Sequence, residues 1–123
     1  MKKKILIIDD EKSIRVLLKN YLQKDYEVTA KENGEEGMAW LQQGNLPDLI
    51  VADIQMPKMD GYEATRKIRE YEKETGKHIP IVAMTAHAMK GDKEKCLAAG
   101  MDQYLAKPLD TNEVVKIIRE YTS

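Results

Sequence analysis

Four short apolar runs in this chain each end in a residue that can handle charge. Leu49-Ile50-Val51-Ala52 ends in Asp53, with Met56-Pro57 three positions on, where no strand can continue. Ile5-Leu6-Ile7-Ile8 ends in Asp9-Asp10, Ile81-Val82-Ala83-Met84 in Thr85, and Tyr104-Leu105-Ala106 in Lys107-Pro108. If these runs are parallel strands, three carboxylates, a hydroxyl and an ammonium meet on one sheet edge. Clustered carboxylates repel one another unless a cation joins them. Mg²⁺ suits such a cluster, because it is a hard ion that takes few protein oxygens, keeps waters and bridges to phosphate. Asp9, Asp10 and Asp53, with one backbone carbonyl in the Gln55 loop, would supply its ligands. Lys107 could pair with Asp53 or with an incoming phosphoryl oxygen, and Thr85 offers a hydroxyl donor.

Phosphoryl transfer needs little beyond in-line positioning and charge neutralisation on the equatorial oxygens. No cysteine is placed for it and the serines are Ser13 and the terminal Ser123, so Asp53 is the best nucleophile, giving an aspartyl phosphate. Each residue also has a plain structural reading. Asp10 could cap a helix, Asp53 could close an Asx turn, Thr85 could simply end a strand, and Lys107 could be solvated. Four such residues at the same ends of four strands argue against coincidence.

The elements that would hold these residues alternate from end to end. Lys4–Ile8 reads as a buried strand, and Ile14, Leu17, Leu18, Tyr21 and Leu22 then follow the helical period. Tyr26–Ala30 alternates like a half-exposed edge strand. Asn33 and Glu36 form an N-cap pair opening a helix to about Gln43, with Gly37, Met38 and Leu41 on its buried face. After Leu49–Ala52, the stretch Asp60-Gly61-Tyr62-Glu63 repeats the capping pattern and starts a helix to about Lys73. Strand Ile81–Met84 follows, then a helix from about Gly91 to Ala99 that stops at Gly100. Tyr104–Ala106 is the last strand. Asp110 and Glu113 cap a final helix with Val114, Ile117, Ile118 and Tyr121 inward.

Strict alternation predicts a doubly wound α/β fold: a five-stranded parallel sheet, order 2-1-3-4-5, flavodoxin-like (βα)5, with helices on both faces. Ligands in such sheets sit beyond the carboxyl ends of the strands where the winding reverses, between strands 1 and 3. Those two strands end in Asp9-Asp10 and Asp53. The 123 residues suit one domain, 1–123. Twenty basic against 21 acidic side chains leave a net charge of −1, with no global pull toward nucleic acid or membrane. The basic Met1-Lys2-Lys3-Lys4 precedes too short an apolar run for a signal peptide or span. Cys96 is the one cysteine, read as a small core residue, and a reducing cytoplasm fits.

The motifs Ile8-Asp9-Asp10, Asp53-Ile54-Gln55-Met56-Pro57, Met59-Asp60-Gly61, Met84-Thr85-Ala86 and Lys107-Pro108 occur in the order of a response regulator receiver domain, which the whole chain resembles. The resemblance implies a signalling domain of a two-component phosphorelay rather than a conventional enzyme, one that catalyses its own aspartyl phosphorylation and dephosphorylation. Asp53 would take phosphate from a phosphohistidine on a sensor histidine kinase or histidine phosphotransfer domain. Asp9, Asp10, Asp53 and the Gln55 carbonyl would hold Mg²⁺, while Thr85 and Lys107 bind phosphoryl oxygens. Tyr104 matches the aromatic switch position beside Thr85, Gln55 and His87 would modulate dephosphorylation, and Lys107-Pro108 matches a peptide that is usually cis, the minority state for X-Pro bonds. The output surface would lie on the fourth helix, fifth strand and fifth helix. It would meet an unidentified protein target, with the chain a monomer or a weak phosphorylation-dependent dimer. The stretch from Thr85 to Asp102 resembles receivers of hybrid sensor kinases. A haloacid-dehalogenase-type phosphatase would want an Asp where Gln55 stands. A flavodoxin-like cofactor binder would want a Gly-rich cradle where Asp9-Asp10-Glu11 stands.

Overall fold

The computed structural model describes residues 2–53, 61–76, 78–85, 92–107 and 109–122. Five strands and five helices alternate along it. They are β1 (Lys3–Ile8), α1 (Lys12–Leu22), β2 (Tyr26–Lys31), α2 (Gly34–Gln42), β3 (Leu49–Asp53), α3 (Gly61–Thr75), β4 (Ile81–Thr85), α4 (Asp92–Ala98), β5 (Gln103–Ala106) and α5 (Thr111–Thr122). All strand pairs are parallel and the order is β2-β1-β3-β4-β5, as the alternation predicts.

The sheet owes its position to apolar runs that are buried on both faces. Ile5 to Ile8, all of β3 and all of β4 are buried, whereas β2, at one edge, is half-exposed along most of its length. Alternate residues of each central strand serve opposite layers. Leu6, Ile8, Ile50, Ala52, Ile81 and Ala83 pack with Met38, Leu41 and Ile68 of α2 and α3. Ile5, Ile7, Leu49, Val51, Val82 and Met84 pack with Leu18 and Leu22 of α1 and Val114, Ile117 and Ile118 of α5. One expected member of the α1 face is absent from it: Tyr21 is 53% exposed.

The helix caps follow local chemistry. Asn33 accepts a hydrogen bond from the Glu36 amide at 2.9 Å, as expected, but the Glu36 carboxylate reaches the Glu32 amide at 3.2 Å rather than closing the pair on Asn33. Asp110 accepts from the Asn112 amide at 2.9 Å at the start of α5. Gly100 follows α4 with φ of 102°, a left-handed backbone that glycine adopts without cost. Gly37 serves a different need. A Cβ there would lie 2.5 Å from Ile8 Cδ1, so any side chain at this position would force the buried Ile8 to shift or α2 to move away from β1. Gly37→Val is therefore expected to cost about 2 kcal/mol of stability by overpacking, read as a lower urea midpoint. A midpoint equal to that of the parent protein would mean that α2 can shift outward freely.

Candidate metal and phosphoryl site

β1 and β3 are neighbours in the sheet yet carry their following helices to opposite faces, so a crevice opens beyond their carboxyl ends. Asp9 follows β1 directly and Asp53 is the last residue of β3. One carboxylate oxygen from each of Asp9, Asp10 and Asp53 falls within 4.8 Å of the others. Asp9 is fully buried, Asp53 is 4% exposed, and Asp10 stands exposed at the mouth. None of the three caps α1: its N-cap is Glu11, which makes no side-chain cap bond.

Lys107, just beyond β5, fills the gap between them. Its Nζ lies 3.0 Å from Asp9 Oδ2, 3.2 Å from Asp53 Oδ2 and 3.3 Å from Glu11 Oε1. Its backbone amide donates to the Thr85 carbonyl at 2.7 Å, which locks the end of β5 to the end of β4. Thr85 is fully buried as the last residue of β4. Asp9 Oδ1 accepts from the Glu11 amide at 2.8 Å. Asp9 Oδ2 is buried and, among the described residues, has only the ion pair to Lys107, without hydrogen-bond geometry. A buried oxygen with capacity left, two further carboxylates within reach and an open mouth at Asp10 form a donor set that fits a small hard divalent cation.

Burial pushes the Asp9 carboxyl above the usual carboxylate value and the Asp53 charge adds to this, while the Glu11 amide and Lys107 pull it down. Burial opposes the charge on Lys107, but Asp9 and Asp53 outweigh it and hold the ammonium above the ordinary lysine value. The two signs differ. An acid whose folded value is raised binds its proton more tightly when folded, so ionising Asp9 erodes stability as pH climbs through that folded value. The raised Lys107 contributes stability throughout neutral pH, lost only in alkali above its folded value. Lys107→Met should therefore destabilise the metal-free protein. The cost should stay below the roughly 3–5 kcal/mol of a broken buried pair, because Asp9 can escape by taking up a proton. Urea melts at pH 5 and pH 8 test this: the deficit should be larger at pH 8, and a deficit independent of pH would remove Lys107 from its role as counter-ion.

Of the residues expected at the site, the structure thus brings together Asp9, Asp10, Asp53 and Lys107, with Thr85 beside them on the adjoining strand end. Tyr104 lies apart on β5, opposite Ala83, half-buried against the layer under α2 and α3. Gln55, His87, the Asp60 cap, the Lys107-Pro108 peptide and the Cys96 side chain lie outside the described residues. Two participants carried no warning in the sequence. Glu11 adds a third carboxylate to Lys107, and Arg15 donates from Nη1 to the Asp9 carbonyl at 2.8 Å. Neither has a motif, since one is an ordinary helix-start acid and the other binds a backbone atom.

A doubly wound five-stranded sheet in this order, with a carboxylate crevice and an ammonium at its switch point, has flavodoxin-like architecture. The model of the response regulator receiver domain family matches residues 5–119, and the chain belongs to that family, a module of two-component phosphorelays. It is 41% identical over 120 residues to hybrid signal transduction histidine kinase I of Dictyostelium discoideum, covering 94% of this chain and 7% of that kinase. The chain thus spans less than a tenth of that relative's length. Among solved structures it resembles the receiver domain of sensor histidine kinase PA1611 from Pseudomonas aeruginosa PAO1, described with a magnesium ion coordinated in the active site cleft. That match has a TM-score of 0.86 and 35% identity over 99% of this chain and 98% of that one. It also resembles the receiver domain of Ssk1 from Saccharomyces cerevisiae in complex with the histidine phosphotransfer protein Ypd1, with a TM-score of 0.88 and 32% identity over 98% of this chain and 89% of that one. No described helix is long and apolar enough to cross a membrane.

Proposed function

We propose that this receiver domain takes a phosphoryl group from a phosphohistidine onto Asp53, in a Mg²⁺-dependent reaction that its own crevice promotes. The observation that carries this reading is the bridging of Asp9 and Asp53 by Lys107 within 3.2 Å, beside an exposed third carboxylate, Asp10. Asp53 supplies the nucleophilic oxygen, and its carboxylate needs no general base because it has no proton to lose. Bond formation to phosphorus breaks the P–N bond of the donor, and the departing imidazole takes the electron pair. Mg²⁺, held by Asp9, Asp10 and Asp53 with the Gln55 carbonyl, would neutralise charge on the phosphoryl oxygens. Lys107 stays beside Asp53 and offers its ammonium to a phosphoryl oxygen. Thr85 offers a hydroxyl, and Tyr104 is its switch partner, the pair altering the surface formed by the fourth helix, fifth strand and fifth helix. Gln55 and His87 tune water attack on the product.

The donor is a sensor histidine kinase or a histidine phosphotransfer domain, a reading supported by the histidine kinase among the relatives and by the yeast complex. The reading assigns the reaction to the cytoplasm and the output to a protein surface. Incubation with acetyl phosphate and Mg²⁺, followed by mass spectrometry of the digested protein, tests it. One hydroxylamine-labile phosphoryl group is expected, on the peptide holding Asp53. A modified peptide lacking Asp53 would defeat the assignment.

A further inference from the structure

Asp10 is the least secured of the three clustered carboxylates. It is exposed, and among the described residues no hydrogen bond or ion pair holds its side chain. Asp9, by contrast, is held in place: its amide donates to the Lys31 carbonyl at 3.1 Å, Oδ1 accepts from the Glu11 amide, and Oδ2, though without a hydrogen bond, lies 3.0 Å from Lys107 Nζ. What remains is the carbonyl of Asp9, which belongs to the peptide linking it to Asp10. That oxygen accepts from Arg15 Nη1 at 2.8 Å.

Arg15 is built for this contact rather than drawn to it by chance. It sits on the second turn of α1, where its own amide bonds the Glu11 carbonyl at 3.2 Å, and its side chain is 16% exposed. Its Nη2 lies 3.9 Å from Oε1 of the exposed Glu32, just past β2, a loose contact beside the close bond to the Asp9 carbonyl. A peptide plane fixed through its carbonyl also fixes the Cα of the next residue, and with it the direction in which that residue's side chain leaves the backbone.

We infer that Arg15 is a positioning residue for the cation site: by holding the Asp9–Asp10 peptide it aims the Asp10 carboxylate into the crevice. The inference rests on the reading that Asp9, Asp10 and Asp53 hold Mg²⁺. Electrostatics alone predicts the opposite outcome from positioning, which makes the two separable. A guanidinium near a cation site repels the ion, so its removal should tighten binding if charge is all that matters. Loss of a group that orients a metal ligand instead weakens metal affinity, commonly about tenfold or more.

The test is the Mg²⁺ dissociation constant of the wild type, Arg15→Met and Arg15→Lys, measured by amide NMR well below each melting temperature. Metal-free spectra are recorded alongside. Arg15→Met should raise the dissociation constant about tenfold although a positive charge has been removed. Arg15→Lys, which keeps the charge but has a compact ammonium in place of the fork, should fall between. In the metal-free state the amides of Asp10 and Glu11 should shift in both variants while those of β4 stay in place. Binding equal to or tighter than wild type in Arg15→Met, or in Arg15→Lys should the other not fold, overturns the inference. A wild type that does not bind Mg²⁺ overturns both this inference and the reading beneath it, whereas wild-type binding with unchanged affinity in the variants overturns this inference alone.

Discussion

Asp53→Asn is expected to take up no phosphoryl group from acetyl phosphate and Mg²⁺, with labelling reduced to background. The substitution keeps the size and shape of the side chain at a position only 4% exposed, so the crevice around it persists. What it removes is the anionic oxygen. A carboxamide oxygen is a far weaker nucleophile, and its amide nitrogen turns a donor toward a position that Lys107 Nζ holds at 3.2 Å. The remaining carboxylates differ in availability. Asp9 is fully buried, with one oxygen bonded to the Glu11 amide and the other ion-paired to Lys107, while Asp10 is at the mouth. Intact-mass measurement of parent and variant decides the matter, and undiminished labelling in the variant would transfer the nucleophile's role to Asp10.

Arg69→Met should produce the largest loss of stability, about 3 kcal/mol, the low end for a buried charge network that loses a partner, because this one is only part-buried. Arg69, on α3, ties together segments that are far apart in the chain. Nη2 and Nε donate to the Gly100 carbonyl at 2.6 and 2.9 Å, Nη1 donates to the Ile79 carbonyl at 2.9 Å, and Nη2 pairs with Asp102 Oδ2 at 2.8 Å. Glu72, also bonded to Arg69, has a side chain 9% exposed. Removing the guanidinium leaves two backbone carbonyls short of donors and two carboxylates facing each other across His78, whose ring nitrogens lie 3.2 Å from Glu72 and 2.9 Å from Asp102. Methionine retains the stem, so the packing term stays small. Urea unfolding of the metal-free protein measures the loss. A change under about 1 kcal/mol would mean that water substitutes for the guanidinium at each contact.

How far the sequence could be read depended on the kind of bond involved. The central strands were legible because Ile5 to Ile8, Leu49 to Ala52 and Ile81 to Met84 are apolar on both faces, a pattern that leaves them nowhere but the middle of a covered sheet. Their ends ran one residue further than the apolar pattern, to Asp53 and Thr85, because ladder bonding is indifferent to side-chain polarity. Tyr21 was misplaced because its spacing fits the α1 stripe, yet it sits at the stripe's margin, beside Val115 and Lys116 of α5, rather than under the helix. At the site, Asp9, Asp10, Asp53 and Lys107 were legible as polar residues closing apolar runs. Arg15 and Arg69 were not, since both act chiefly on backbone carbonyls, which every residue possesses and no motif records. His78 reads as surface and is 60% exposed, but its bonds to Glu72 and Asp102 depend on contacts across the fold.

The Arg69 network has a mechanical consequence for the opposite edge of the sheet. Asp102 Oδ2 also accepts the Ile81 amide at 2.8 Å, and the Ile81 carbonyl accepts the Asp102 amide at 2.9 Å, so β4 and β5 are riveted together where they enter the sheet. Their other ends carry Thr85 and, just past β5, Lys107, whose amide extends the β4–β5 pairing with a 2.7 Å bond to the Thr85 carbonyl. Between root and tip the two strands are paired residue by residue, so they tilt together and not singly. At about 3.3 Å per residue the tip of β4 stands about 13 Å from the clamp, so a tilt of some five degrees carries Thr85 by about 1 Å while Ile81 stays still. The Lys107 amide on the Thr85 carbonyl ties the two tips, so the residue that faces the carboxylates and the residue that ends β4 share one backbone link.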